Sequence, residues 1–309
     1  VRAMRWPMAF AALGFLALNL LLSETIWGAK NWLSIAGQTL QPSEFVKIAY
    51  VYAGAATLDR LFRRRNLILF IAFSAVCVGA LALMGDFGTA LVFFVCFLVI
   101  SFMRSGSFAT LFLAIGGAAL AVMLVLTVKP YVAQRFATWG HAWEDPLNTG
   151  FQQVRTMSAT AAGGLFGRGA GAGWLKNIFA ANTDMVFGVV CEELGLIVAL
   201  CCVLSLLLLA VFSVRSAAAG RSSYYVIASC ATLTIFMAQL ALNVFGSLDL
   251  LPFTGVTFPF VSKGGSSLIS CWGMLAYIKA GDTRSGGSFA LRTSFENARR
   301  GKKKKEAVK

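Results

Sequence analysis

Eight stretches of this chain, at 7–27, 43–62, 66–84, 88–102, 108–128, 185–212, 224–245 and 266–278, are apolar over most of their length. Crossing the roughly 30 Å hydrocarbon core of a bilayer takes about 20 mostly apolar residues in a helix, and these runs show neither period-2 alternation nor heptads. With 58% hydrophobic and 13% charged residues, the composition excludes a soluble domain. The expectation is an all-α, polytopic helical membrane protein with about eight transmembrane helices and one large external loop over 129–184.

The basic residues orient the spans. Arg2 and Arg5 precede the first, Arg60, Arg63, Arg64 and Arg65 follow the second, Arg104 follows the fourth, and Arg215 and Arg221 follow the sixth. With alternating helices all of these fall on one side, and the positive-inside tendency makes that side the cytoplasm. Both termini are then cytoplasmic, and loop 129–184 faces outward. The first run is too long for a signal-peptide core and no small-residue cleavage site follows it, so it reads as a span. Residues 1–281 are expected to form the membrane domain and 282–309 a basic tail carrying Arg299, Arg300 and Lys302 to Lys305. Too polar to pack, the tail should be disordered and held near anionic lipid headgroups at about 1 kcal/mol per basic residue. The net charge of +14 therefore reflects topology plus tail and implies no nucleic-acid partner. The seven cysteines lie in or at the edge of spans, in no metal-ligand spacing, and read as small apolar residues.

Against this apolar background the charged residues stand out, because ionisable groups at membrane depth mark functional sites by default. The stretch 150–195 carries Gln152, Arg155 and Arg168, then Asn182, Thr183 and Asp184, then Glu192 and Glu193 at the leading edge of the sixth run. Asp184 could also be a helix N-cap. Glu44 and Lys47, three apart, share a face of the second helix, whose start is set by Pro42 with Ser43 as N-cap. They are expected to pair with each other or with a third charge. Asp86, between Gly85 and Gly88, reads as a buried partner of Lys47, with an Asx turn as the alternative.

The glycines between 163 and 173 would let backbone amides approach a ligand, and Arg155 and Arg168 could meet a phosphate; a flexible linker is the competing reading. His141 sits among Trp139 and Trp143 and reads as an interface residue. The loop 252–267, with Pro252, Gly255, Pro259, Ser262, Lys263, Gly264 and Gly265, breaks helix while staying apolar. Non-helical backbone near the bilayer is tolerated only where protein or a wet cavity surrounds it. This loop should therefore fold over the same outer cavity as Asp184.

Taken together, Gln41, Pro42, Ser43 and Glu44 with Lys47, the turn of Asp86, Gly88 and Thr89, the segment 152–169, Thr183 and Asp184 with Glu192, Glu193 and Gly195, and the loop 252–267 resemble the SEDS family, which includes FtsW, RodA and SpoVE. The resemblance covers nearly the whole chain up to the tail. It implies a polyprenyl-lipid-dependent peptidoglycan glycosyltransferase that polymerises lipid II at the outer face of the bacterial cytoplasmic membrane, in division, elongation or sporulation, alongside a class B penicillin-binding protein. The family's essential aspartate falls on Asp184, its Glu and Lys pair on Glu44 and Lys47, and its Lys-pairing aspartate on Asp86. The chain departs from the family pattern at Asn31, Phe179, Asn182 and Lys263. The family has ten spans, and two beyond the eight would precede Pro7.

Sugar transfer from a lipid pyrophosphate expels a leaving group that is already a stable anion, so one base on the acceptor hydroxyl is enough. Asp184 takes that role, with Lys47, Arg168 and, as the one cofactor to consider, a divalent cation (magnesium or manganese) at the pyrophosphate. Gln152, Thr183, Glu192, Ser262 and Lys263 complete the cavity candidates. If Asp184 and Glu192 share a helix, eight residues set them about 12 Å apart, beyond the roughly 5 to 9.5 Å carboxyl pair of a glycoside hydrolase. A lytic enzyme is thereby disfavoured. The alternatives are a flippase or transporter of the same lipid, against which stand the lack of an inverted repeat and the clustering of polar groups on one face, and a non-catalytic scaffold of the cell-wall machinery.

Overall fold

The computed structural model describes residues 2–23, 30–35, 38–59, 64–128, 133, 136–218 and 222–282. Arg60, Arg63, Lys129, Arg135, Arg221 and the basic tail lie outside the described residues. Each of the eight apolar runs forms a helix: α1 (Arg5–Leu22), α2 (Pro42–Leu58), α3 (Arg64–Met84), α4 (Phe87–Ser105), α5 (Phe108–Val128), α7 (Val186–Ala218), α8 (Ser223–Ser247) and α9 (Gly265–Gly281). Counted over the described residues alone, α1, α3, α4, α7 and α8 are long and apolar enough to cross a bilayer unaided. α2 and α9 have 17 residues each and carry more polar groups, which other helices cover. The chain is an all-α, multi-pass membrane protein.

Within the long segment between α5 and α7 the structure adds α6 (Phe151–Gly163), which no long apolar run announced. It lays Thr156, Ala159 and Gly163 against α7. The connection between α1 and α2 holds a small antiparallel pair, β1 (Leu33–Ile35) and β2 (Gln38–Leu40), with Leu33 opposite Leu40.

The helix ends follow local chemistry. α2 starts at Pro42, one residue before the expected cap, with Gln41 extended before it; proline at the first position has its φ already set and lacks only an N–H that would have no partner there. Ser43 consequently lies inside the first turn. Asp86 caps α4 through the Thr89 N–H at 3.1 Å, and α4 ends on Gly106 in the left-handed region.

The core centres on α2, which packs against α1, α3, α4, α8 and α9. Tyr50 is its middle. The ring is fully buried among Phe70, Phe73 and Phe93, with centroids 4.7 to 5.7 Å away, and its hydroxyl pairs with Ser74 Oγ at 2.7 Å, as a buried tyrosine requires.

α7 is broken at Gly195, where φ is 88° and ψ 165°. The segment 163–169 fills the break. The N–H groups of Arg168 and Gly169 donate to the carbonyls of Glu192 and Glu193, and those of Leu196 and Ile197 donate to the carbonyls of Gly164 and Leu165, at 2.9 to 3.3 Å. Polar backbone freed by a break near the membrane must find such partners. A side chain at Gly163 would strike the Cys191 carbonyl, and one at Gly167 or Gly195 would strike the opposing backbone. These three glycines serve backbone contact within the protein rather than a flexible linker.

Candidate active site

Glu44 and Lys47, one turn into α2, are each 2% exposed, and the Lys47 ammonium donates to Glu44 Oε1 at 2.8 Å. Ser270 of α9 donates to the Glu44 carbonyl at 2.8 Å, which ties this turn to the last helix. Asp86 lies close enough for its charge to be felt by the pair, but its carboxylate turns to the α4 N-terminus, and no ion pair joins it to Lys47. The direct partner of Lys47 is Glu44; Asp86 is the Asx cap. Burial pushes the Asp86 carboxyl above the ordinary aspartate range, while the Thr89 hydrogen bonds and the Lys47 charge act the other way.

Asp184 closes a turn before α7. Its N–H and that of Thr183 both donate to the carbonyl of Ala180, at 2.8 and 3.1 Å. Ala180 has a φ of 62°, an uncommon left-handed alanine. Asp184 thus precedes the helix that carries Glu192 and does not share it. The loop 252–264 comes over this turn as expected. Gly255, with a φ of 67°, faces Asp184 Oδ2 so closely that a Cβ there would lie 3.0 Å from it. Ser262 Oγ donates to the Thr183 carbonyl at 2.6 Å, and Lys263 N–H to the Asn182 carbonyl at 2.8 Å. From α8, Asn243 donates to the carbonyls of Asp184 and Val256, while Gln239 donates to Thr257 Oγ1 at 3.1 Å.

These elements enclose one polar pocket whose walls include Gln41, Glu44, Lys47, Thr89, Asp184 and Thr257. Asn31 and Trp32 of the connection between α1 and α2 and Ser266 and Ser267 of α9 also reach it. Of the sequence candidates, Glu44, Lys47, Thr183 and Asp184 line the pocket. Ser262 and Lys263 act through the roof hydrogen bonds just described. Asp86, Gln152, Arg168 and Glu192 are not among the lining residues. Gln152 sits on α6, where its carbonyl accepts from Thr156. Glu192 has no exposure and holds the Trp174 and Leu175 N–H groups, with Arg168 3.7 Å away. Arg155 lies over the rings of Phe151 and Trp174. Among the described residues no three His, Cys, Asp or Glu gather to form a metal cluster.

Sequence reasoning passed over Gln239 and gave Asn243 no role. The signal was present: two amide side chains four residues apart in a mostly apolar run must face one side and find partners.

Fold and site together define a polytopic membrane protein that holds a buried ion pair and a second carboxylate beneath a loop roof at one end of its bundle. The chain belongs to the FtsW, RodA and SpoVE family: the family model described as "Cell cycle protein" matches residues 2–283. The probable peptidoglycan glycosyltransferase FtsW of Borreliella burgdorferi is 30% identical over 267 residues, 82% of this chain and 72% of that protein. The peptidoglycan glycosyltransferase RodA of Mycobacterium bovis is 30% identical over 287 residues, 87% of this chain but 61% of that one. A solved structure described as "Structural coordination of polymerization and crosslinking by a peptidoglycan synthase complex" matches with a TM-score of 0.73 and 27% identity, covering 92% of this chain and 82% of that one.

Proposed function

We propose that this chain is a peptidoglycan glycosyltransferase that polymerises lipid II at the outer face of the bacterial cytoplasmic membrane. One observation carries the reading: Asp184 opens onto the same pocket as the buried Glu44 and Lys47 pair. The names of the relatives support the substrate class. Arg5, Arg65, Arg104 and Arg215 lie at the opposite end of the bundle from this pocket, so the positive-inside tendency makes the pocket extracytoplasmic and both termini cytoplasmic.

The acceptor sugar hydroxyl gives its proton to Asp184 as its oxygen attacks the anomeric carbon of the donor. The carbon–oxygen bond to the pyrophosphate breaks, and the electron pair leaves with the lipid diphosphate. Lys47 offsets that charge. Among the described residues its ammonium makes one hydrogen bond, to Glu44, which leaves two of its three donors for phosphate oxygens. Glu44 keeps the ammonium aimed and offsets part of its charge. Gln41, Thr89 and Thr257 supply neutral polar contacts around the sugar. Magnesium is commonly held by one or two carboxylates plus substrate phosphates. Glu44, whose Oε2 has no hydrogen-bond partner among the described residues, and Asp184 would be the residues to hold such a magnesium or manganese ion, which would supply further positive charge at the pyrophosphate.

The partner is a class B penicillin-binding protein, in line with the polymerisation and crosslinking complex that the fold matches. The test is lipid II polymerisation by the purified protein, with and without that partner, for wild type and Asp184→Asn. Polymer from wild type and none from a membrane-inserted mutant is expected. Equal polymer from both would remove Asp184 from the centre, and none from a folded wild type with its partner would overturn the activity.

A further inference from the structure

One fully buried charged group has no part in the chemistry above. Glu192 belongs to the short outer piece of α7, before the break at Gly195. Its Oε1 accepts the Trp174 N–H and its Oε2 the Leu175 N–H, both at 3.0 Å. Gly173 passes so close that a Cβ would lie 2.7 Å from Oε2. A buried carboxylate is costly unless hydrogen-bonded, and here both oxygens are used on backbone donors of a single segment.

That segment leads to Asp184 without interruption. Leu175 starts a 3-10 turn, Leu175–Asn177. The Ile178 N–H donates to Leu175, the Ala181 N–H to Ile178, and the Thr183 and Asp184 N–H groups to Ala180. The Leu175 side chain is fully buried in one cluster with Ala181, Met185 and Val189. The left-handed Ala180 in the middle of this path is a conformation that persists only when its surroundings hold it.

We infer that Glu192 is a positioning residue: its carboxylate clamps the Trp174 and Leu175 amides and thereby sets where Asp184 stands in the cleft. The inference rests on Asp184 being the base. In Glu192→Gln the amide NH2 would face one of the two N–H donors, so one arm of the clamp is lost while the volume is kept. Gly173→Ala displaces the same carboxylate with Glu192 intact, which gives an independent route if the first variant folds poorly.

Two measurements are made on the full chain in detergent or nanodiscs. In hydrogen exchange, both variants are expected to lose protection at 174–175 and also at 180–184. In polymerisation assays kcat should fall on the order of 100-fold, the effect of misplacing a reacting group by about an ångström, while KM for lipid II stays within about threefold because Gln41, Glu44, Lys47, Thr89 and Thr257 keep their places in the pocket wall. Exchange that rises at 174–175 alone, or an unchanged kcat, overturns the inference. If wild type makes no polymer, the exchange at 180–184 still decides whether the clamp holds that turn, and the glycosyltransferase reading fails separately.

Discussion

The amide of Asn243, on α8, donates to the carbonyl of Asp184 at 2.9 Å and to that of Val256 at 2.8 Å. One buried side chain thus joins the turn that carries the candidate base to the loop above it. Asn243→Leu keeps the bulk and leaves both carbonyls without this donor, at about 1–3 kcal/mol for each buried group left unsatisfied. Lower thermal stability and a loss of polymerisation of roughly tenfold or more are expected. Unfolding and activity both at wild-type levels would show that the turn and roof hold without it.

Lys47→Met strands the Glu44 carboxylate in the core. Removing one partner of a buried pair costs about 3–5 kcal/mol, so this variant should express poorly or unfold early. The double variant Glu44→Gln, Lys47→Met removes both charges and should recover much of that stability, yet make no polymer. A comparison of melting curves with activity separates the two effects; an active double variant would take Lys47 out of phosphate binding.

The pH dependence of stability tests Asp86. Its folded carboxyl is raised by burial, so the protonated form is favoured in the folded state. The stability this gives is fully present below the ordinary aspartate pKa and is lost as pH rises through the raised one. Asp86→Asn keeps a capping side chain and removes the titration. The melting temperature of the variant relative to wild type should therefore climb as the pH rises above the ordinary aspartate pKa. A difference that stays flat or falls over that rise would mean that the Lys47 charge outweighs burial.

Glycine replacements separate contact from flexibility. Gly163→Ala and Gly195→Ala each force a methyl group into opposing backbone, and both should destabilise the segment before α7, seen as faster proteolysis between 163 and 184. Gly116 in α5 has open space beside it, with nothing within 4 Å of where a Cβ would stand, and Gly116→Ala should be neutral or stabilising by up to about 1 kcal/mol. Equal behaviour at the three positions would contradict the packed break.

The spans were legible because 20-residue apolar runs have few other fates. Pairing of Glu44 with Lys47 followed from helical spacing, and the roof over Asp184 from prolines and glycines in an apolar loop. What the sequence hid depends on contacts far apart in the chain. Nothing near Gly195 announces that Gly164 and Leu165 will supply its missing hydrogen-bond partners, and the carboxylate of Glu192 carries no local mark of the two amides some 18 residues earlier that it holds. Asp86 shows the opposite case: the local cap, readable from Gly85 to Thr89, prevailed over the longer-range ion pair.

α2 has 13 of its 17 residues buried, and so presents almost no surface to lipid, whereas α5 and α7 present a great deal. Changes in acyl-chain length or bilayer thickness act first on those outer helices. They arrive at Glu44 and Lys47 as strain relayed through packed side chains, since protein surrounds the pair except where it faces the pocket. The charged centre is in this sense insulated, and a cell that remodels its membrane lipids leaves the electrostatic setting of the cleft as it was.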